Sequence, residues 1–167
     1  MRYYRQLGNF GLIKTNIAEK KIRGLYIPDS DIKKEVNRGN FSIAWLLIAC
    51  TIESYLRFLY LMAKVKHKKT ILVKELERFN RVKFLDVIKS CKKKKLFNKK
   101  DARLINFIRD ARNDIAHNHL LLYNQNLSGK VCKKVVLEDG LPLLSRLHNR
   151  ALEKQDERKR FLKKINQ

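Results

Sequence analysis

The spacing of apolar residues in the first half of the chain predicts one long helix at the centre of a core. From Asn40 or Ser42 onward, apolar side chains recur at three- and four-residue steps, which is the period of one face of an α-helix. The apolar arc is broad, so more than one side of this helix should be buried. Its inward positions are Trp45, Ile48, Ile52, Leu56, Leu59 and Met62.

A shorter helix is predicted before it. The segment after Pro28 supplies a capping side chain at Asp29 or Ser30, and Gly39 is a typical stop signal, so a helix should lie between them. Residues 1–27 show weak periodicity, and we expect them to form an irregular arm or a short helix.

Three more helices are predicted, over Lys83–Leu96, Asp101–His117 and Pro142–Ile165. The first two carry apolar residues at helical spacing along one side. These residues are Phe84, Val87, Ile88 and Cys91 in the first, and Leu104, Ile108, Ala111 and Ile115 in the second. Residues 64–82 predict a basic connector with a helical turn at Leu72–Phe79. The stretch Lys130–Leu137 alternates like a strand, but no second strand is predicted to pair with it.

The scarcity of turn-forming residues supports an all-α fold. Only six glycines and two prolines occur in 167 residues, which disfavours a many-stranded sandwich or barrel. A chain of this length suits one domain. We therefore predict a single up-and-down bundle of four to five helices over residues 28–167.

The chain carries a large positive charge. Its formal net charge is +23, from 39 Lys and Arg against 16 Asp and Glu. Such an excess attracts nucleic acids, although the lysine-rich surface of a protein from an AT-rich genome gives the same count. The charge is densest from Lys64 to Lys100, with fifteen basic residues and three acidic ones. Within it, Lys92, Lys93, Lys94 and Lys95 are the predicted RNA-binding residues, unless they form a plain solvated face.

Composition also indicates the cellular compartment and the cofactors to expect. The cysteines Cys50, Cys91 and Cys132 lie far apart without a CxxC or Cys/His pairing, which argues against a zinc site and a disulfide framework. Cys50 is expected to be a small buried side chain. The opening residues lack the apolar stretch of a signal peptide, and charges interrupt the apolar run Phe41–Ala63. We therefore expect a cytoplasmic protein without a membrane span, a metal or a cofactor.

Polar residues near the end of the Asp101–His117 helix are the candidate catalytic residues. Arg109, Asn113 and His117 are four residues apart and form a stripe along the helix, with Arg112 on its flank. Cleavage of RNA needs a proton carrier, which histidine can be, and a cation that holds the phosphate, which arginine can be. No carboxylate cluster for magnesium accompanies them, so a metal-independent reaction fits better than a two-metal one. A solvated helix end explains the same stripe without any function.

The segment FIRDARNDIAH, residues Phe107–His117, resembles the signature of the HEPN superfamily. That signature is an arginine, often followed by asparagine, with a histidine four to six residues after the arginine. Here the arginine is Arg112 and the histidine is His117. The core helix with Glu53 embedded in it (IESYL) is similar to the corresponding helix of many members. The resemblance covers about residues 40–120.

The resemblance implies a fold and a reaction. Members are helical domains that form homodimers, in which two motif helices face each other. Catalytic members are metal-independent endoribonucleases that use the 2′-hydroxyl as nucleophile and leave a cyclic phosphate and a 5′-hydroxyl. Carried over, Arg112 holds the scissile phosphate, His117 transfers the proton or contacts the phosphate, and Asn113 positions them. The implied substrate is tRNA, mRNA or rRNA. The implied role is that of a toxin or anti-phage effector. An antitoxin or another regulatory partner could control it.

Three residues have supporting roles in this scheme. Glu53 either orients Arg112 from the neighbouring helix or pairs with Arg57 one turn further on. Arg109 is an additional candidate for a phosphate contact. In members restrained by a nucleotidyltransferase antitoxin, a tyrosine that becomes modified often stands two residues after the histidine. Here that position is His119, which puts this kind of control in doubt. His119 is either a second proton carrier or an exposed residue at the helix end.

Two other classes of function stay open on the sequence alone. A non-catalytic HEPN module that binds RNA or nucleotides keeps the fold and the charge but needs no histidine. A helical protein-interaction bundle, such as an antitoxin or an adaptor, needs neither the motif nor the lysines. The pairing of Arg112 with His117 favours the enzyme over both.

Overall fold

The fold is seen in a computed structural model, which describes residues 29–65, 67–68, 77–79, 81–117 and 133–165. All regular structure in these ranges is helical, which confirms the all-α prediction. The predicted arm at residues 1–27 lies outside the described residues, as does most of the basic connector.

The described residues form five α-helices, and a π-helical turn leads into the last one. The helices are α1 (Asp29–Asn37), α2 (Phe41–Val65), α3 (Phe84–Lys93), α4 (Lys99–His117) and α5 (Leu141–Ile165), and the π-helical turn is Val135–Gly140. Each predicted helix is therefore present. Of the predicted turn in the connector, Glu77–Phe79 is described, and it is helical.

The first helix ends at a glycine in the left-handed region, as the sequence predicts. Gly39 has a φ of 79° and donates its N–H to the carbonyl of Val36 at 3.0 Å. Asn40 donates its N–H to the carbonyl of Glu35 at 2.9 Å. This pair of hydrogen bonds is a Schellman ending, which closes a helix within two residues. The tight turn brings α1 directly against α2.

The long apolar helix α2 is the centre of the fold and contacts each of the other four helices. Its predicted inward residues are all buried, and Trp45, Ile48, Leu56 and Leu59 are 0% exposed. A helix that is apolar over most of its circumference needs neighbours on several sides. The central position of α2 follows from that requirement.

By length and composition alone, α2 is also apolar enough to cross a membrane. Its most apolar 18-residue window has a mean hydropathy of 1.5, and 56% of that window is buried inside the protein. The core helix of a helical bundle has the same properties, so this resemblance to a membrane span is weak.

The connection between α3 and α4 differs from the predicted one by a few residues. Lys95 adopts a left-handed conformation (φ 53°), and Leu96 donates its N–H to the carbonyl of Cys91 at 3.0 Å. Asn98 caps α4, because its Oδ1 accepts the N–H of Asp101 at 2.7 Å. The helix therefore begins at Lys99, two residues before the predicted start.

The strand-like alternation at Lys130–Leu137 was misleading. Residues 133–140 are helical, with Val136 fully buried. A lone strand leaves its backbone groups unpaired, whereas a helix pairs them internally. The absence of a side chain at Gly140 lets this turn approach α2, since a Cβ there would lie 2.7 Å from Cδ1 of Ile48.

The prediction that Cys50 is buried was wrong, because its side chain is exposed. Cys50, Glu53 and Arg57 are three and four residues apart, so they lie on one side of α2. Glu53 and Arg57 are only partly buried. The broad apolar arc of α2 therefore leaves one polar stripe uncovered, and that stripe leads to the candidate site.

Candidate active site

Arg112, near the end of α4, forms an ion pair with Glu53 of the central helix. Nη2 of Arg112 lies 3.7 Å from Oε2 of Glu53. The Arg112 side chain is 39% exposed and that of Glu53 is 21% exposed, so the pair lies at the edge of the core with one side open to solvent. Two helices that are distant in sequence thus meet at this ion pair.

The position of Arg112 on its helix explains the contact. Arg112 lies about 40° round α4 from Ile108, taking ~100° per residue. Ile108 is 2% exposed and faces the core. Arg112 therefore borders the core-facing stripe and reaches the uncovered side of α2, whereas a position on the far side of α4 could not.

The carboxylate of Glu53 also holds Arg57. Its Oε1 accepts hydrogen bonds from Nε of Arg57 at 2.9 Å and from Nη2 at 2.7 Å. Arg57 donates in addition from Nη1 to the backbone carbonyl of Val82 at 3.0 Å. Both predicted partners of Glu53 are thus present at once, and one carboxylate lies between two guanidinium groups. The cluster of Glu53, Arg57 and Arg112 keeps a net positive charge.

Asn113 contacts the cluster through Arg112, its neighbour in the sequence. Its Oδ1 accepts a hydrogen bond from Nη1 of Arg112 at 3.3 Å, which is long for such a bond. Contacts with Glu53 and Asn113 engage two nitrogens of the Arg112 guanidinium. They restrict its orientation while leaving part of it exposed for an anion.

His117 is the last residue of α4. Its backbone is helical, and its side chain lies outside the described part of the structure, as does the whole of His119. The position of His117 on the helix is about 40° from that of Asn113 and about 140° from that of Arg112. Within one chain, the arginine and the histidine of the motif thus occupy different sides of the helix.

Arg109 does not join the cluster around Glu53. It donates from Nε and Nη2 to Oδ1 of Asp110, at 3.0 Å and 2.6 Å. Asp110 is 59% exposed, so this is a surface ion pair between neighbours. The structure brings Arg112, Asn113 and Glu53 together and gives Arg109 a separate partner.

Cys50, at the edge of this cluster, is absent from the site residues predicted from the sequence. Desolvation raises the pKa of its thiol above the ordinary value, the positive charge of Arg112 lowers it, and the carboxylate of Glu53 raises it further. Cys50 lies three residues before Glu53 on the same side of α2, and at neutral pH it carries a neutral thiol. Its spacing from Glu53, three residues along α2, was the available signal.

The four lysines Lys92–Lys95 are exposed, but the structure places them away from Arg112. Lys94 lines a small cavity with Lys154 of α5, and Lys95 lines a groove with Arg146, also of α5. From the start of α4 to Arg112 the helix rises by roughly 20 Å. The lysines thus form a separate basic surface at the opposite end of α4.

In the part of the chain that the structure describes, no group of three or more His, Cys, Asp and Glu side chains could hold a metal ion. The cluster of Glu53, Arg57 and Arg112 contributes a single carboxylate. What it offers chemically is a partly exposed, oriented cation, which suits binding of a phosphate oxygen.

His148 and His67 have contacts elsewhere in the structure. Nδ1 of His148 lies 2.8 Å from the hydroxyl of the buried Tyr55. The ring of His67 packs edge-on against Phe161, with centroids 5.6 Å apart. Neither contact involves the cluster around Glu53.

Lowering the pH is expected to destabilise the protein through His148. Burial lowers the pKa of its imidazole below the ordinary value of 6.5. The unfolded chain therefore binds more protons as the pH falls through that value, so the free energy of unfolding decreases. Urea titrations at about pH 7.5 and about pH 5.5 measure the decrease. A His148→Gln variant should show a smaller decrease than a His67→Gln control, and equal decreases would contradict this assignment.

Comparison of the chain with protein-family models, with curated protein sequences and with solved structures gave no match.

Proposed function

We propose that this protein is a metal-independent endoribonuclease of the HEPN type, with a site built from Arg112, Asn113 and His117. The observation that carries the proposal is the position of Arg112. Arg112, the arginine of the RN-xxx-H pattern, forms an ion pair with Glu53 of the central helix, and its side chain stays partly exposed. The resemblance of the sequence to the HEPN signature predicts this combination of a late motif helix and a glutamate in the core helix.

The proposed reaction is transesterification at phosphorus. The 2′-hydroxyl oxygen attacks the phosphorus as its proton leaves, and the bond from phosphorus to the 5′-oxygen breaks. The 5′-oxygen takes up a proton, which gives a 2′,3′-cyclic phosphate and a 5′-hydroxyl. Arg112 holds a non-bridging oxygen and neutralises the charge that builds there, and His117 moves a proton. Glu53 and Asn113 position the guanidinium.

A homodimer is part of the proposal. Arg112 and His117 lie about 140° apart on the helix, so one chain presents them to different surroundings. A second copy whose α4 faces the first would bring the histidine of one protomer near the arginine of its partner. The proposed biological role is that of a toxin or anti-phage effector, which a regulatory partner restrains until it is needed.

The test is cleavage of total RNA and tRNA by purified protein in EDTA, with Arg112→Ala beside the wild type. We expect discrete fragments with 5′-hydroxyl ends from the wild type, and a rate lower by roughly 10²–10³-fold in the variant, as for loss of a group that stabilises developing charge. Arg103→Ala is the matched control. Arg103 is exposed on α4, about 180° round the helix from Arg112.

The control separates the site from the general charge of the protein. If both variants lose activity equally, the loss reflects net charge or folding, and the assigned site is wrong. Intact RNA with the wild type, together with salt-sensitive RNA binding, would replace the enzyme by a non-catalytic RNA-binding module. If the wild type neither cuts nor binds RNA, a protein-interaction bundle becomes the better description.

A further inference from the structure

A cavity beside the candidate site has the lining of a nucleotide-binding pocket. Its volume is about 450 Å³, within the usual range for small-ligand pockets. It is lined by Tyr60, Lys64, Val65, Lys68, Arg78, Phe79 and Val82. Three of these residues are cationic, two are aromatic and two are valines, and none is acidic. Aromatic rings that stack bases, with cations for the phosphates, are how proteins bind single-stranded nucleic acids.

The two rings of the pocket come from separate parts of the chain and contact each other. The centroids of Tyr60 and Phe79 are 5.4 Å apart, with the ring planes at 80°. Because the planes are nearly perpendicular, a flat base can stack on the face of only one of these rings at a time. The ammonium group of Lys64 lies 5.7 Å from the centre of the Tyr60 ring. A cation is therefore available directly beside an aromatic surface.

The pocket borders the cluster around Glu53 at Val82. Val82, which lines the pocket, accepts the hydrogen bond from Arg57, and Arg57 is held by Glu53. Along α2, Tyr60 is seven residues beyond Glu53, a rise of ~10 Å. At ~3.4 Å per stacked nucleotide, that distance corresponds to about three nucleotides. A strand with one phosphate at Arg112 would thus reach the pocket with a nearby nucleotide.

We propose that this cavity is a nucleotide subsite, in which the Tyr60 ring stacks on a base of the bound RNA beside Phe79, while Lys64 and Arg78 hold the adjacent phosphates. The inference rests on the proposed function in one respect, namely that the nucleotide belongs to the RNA substrate. The subsite gives the protein a contact with bases near the cleaved bond. Stacking tolerates any base, so the preference it confers follows stacking strength.

The experiment pairs a change in the protein with a change in the ligand. Fluorescence anisotropy measures binding of a short single-stranded RNA with 2′-O-methyl riboses throughout, which cannot undergo attack by a 2′-hydroxyl. A second ligand has the same backbone with abasic positions. We expect Tyr60→Leu to weaken binding of the first ligand roughly tenfold and to leave binding of the abasic ligand unchanged. Tyr60→Phe keeps the ring and should bind like the wild type.

A charge variant tests the phosphate contacts. Lys64→Gln should make the logarithm of the binding constant fall less steeply with the logarithm of the salt concentration, by the amount expected for the loss of about one phosphate contact. It should do so for both ligands, because the abasic ligand keeps its phosphates. Lys33→Gln is the matched control, since Lys33 is exposed on α1, away from the pocket and from the basic surface of Lys92–Lys95. It should change binding less than Lys64→Gln.

Each outcome bears on the subsite independently of cleavage. Equal losses of both ligands in Tyr60→Leu would overturn the proposal, because they would show a structural defect and not lost stacking. Undiminished binding in Tyr60→Leu, or no RNA binding by the wild type, would also overturn it. Saturable binding of a free mononucleotide that Tyr60→Leu abolishes, without discrimination between the oligomers, would replace the RNA subsite with a site for soluble nucleotide. If the wild type cuts no RNA but the base-dependent effect of Tyr60→Leu remains, the nuclease proposal fails and the subsite stands.

Discussion

Replacing His117 by alanine is expected to slow RNA cleavage in EDTA by roughly 10²–10⁴-fold, the range that a lost proton carrier typically costs. The arginine at position 112 would still hold the phosphate, so binding of RNA should change much less than the rate. Single-turnover cleavage of a short RNA, measured with the protein in excess, separates the chemical step from binding. The free energy of unfolding should stay close to that of the wild type, since His117 is at the end of its helix.

His67→Ala provides the matched control for this variant. It makes the same chemical change at a histidine whose described ring contact is with Phe161. Cleavage should proceed at the wild-type rate in this control. Cleavage that persists in His117→Ala would mean that another residue carries the proton, with His119 the next to be replaced. Equal losses in both variants would point to folding or to assembly.

Replacing Trp45 by alanine is expected to lower the free energy of unfolding by about 3–5 kcal/mol, the usual cost of truncating a buried aromatic side chain. Trp45 is 0% exposed and packs edge-on against Phe107 of α4, with ring centroids 5.7 Å apart. Its loss would leave a cavity where α2, α4 and the π-helical turn meet. Urea unfolding followed by circular dichroism measures the change, because Trp45 is the only tryptophan and its fluorescence is lost with it.

A Trp45→Phe variant tests whether packing volume is what Trp45 contributes to stability. The buried Nε1 of Trp45 finds no hydrogen-bond partner among the described residues. Removing a buried, unpaired donor offsets part of the cost of the smaller ring, so phenylalanine should cost clearly less than alanine. If the two variants were equally unstable, packing volume would not be what Trp45 contributes at this position.

At the candidate site, the sequence named two possible partners of Glu53, and the structure shows that Glu53 contacts both. The prediction that Glu53 and Arg112 could meet came from the resemblance to a family, and the structure shows the two side chains in contact. The simultaneous contact of Glu53 with Arg57 was the alternative, and it is present too. A carboxylate has two oxygens, so two partners that look exclusive in a sequence can both be satisfied in a fold.

The sequence by itself determined the five α-helices that the structure describes. Hydrogen bonds within a helix join residues four apart, so the evidence for α2 and for the end of α1 at Gly39 lies within a few neighbouring residues. The apolar periodicity that placed Ile108 in the core is local in the same way. Such features can be recognised without knowing what any helix packs against.

Only the tertiary structure decided which side chains meet between helices. The exposure of Cys50 depends on which side of α2 its neighbours leave uncovered, and the helical state of Val136 depends on the core beneath it. The pocket that contains Tyr60 and Phe79 joins residues that no local pattern relates. Each of these outcomes depends on the rotation and position of one helix relative to another. Packing of the whole core sets those quantities, which short-range spacing does not encode.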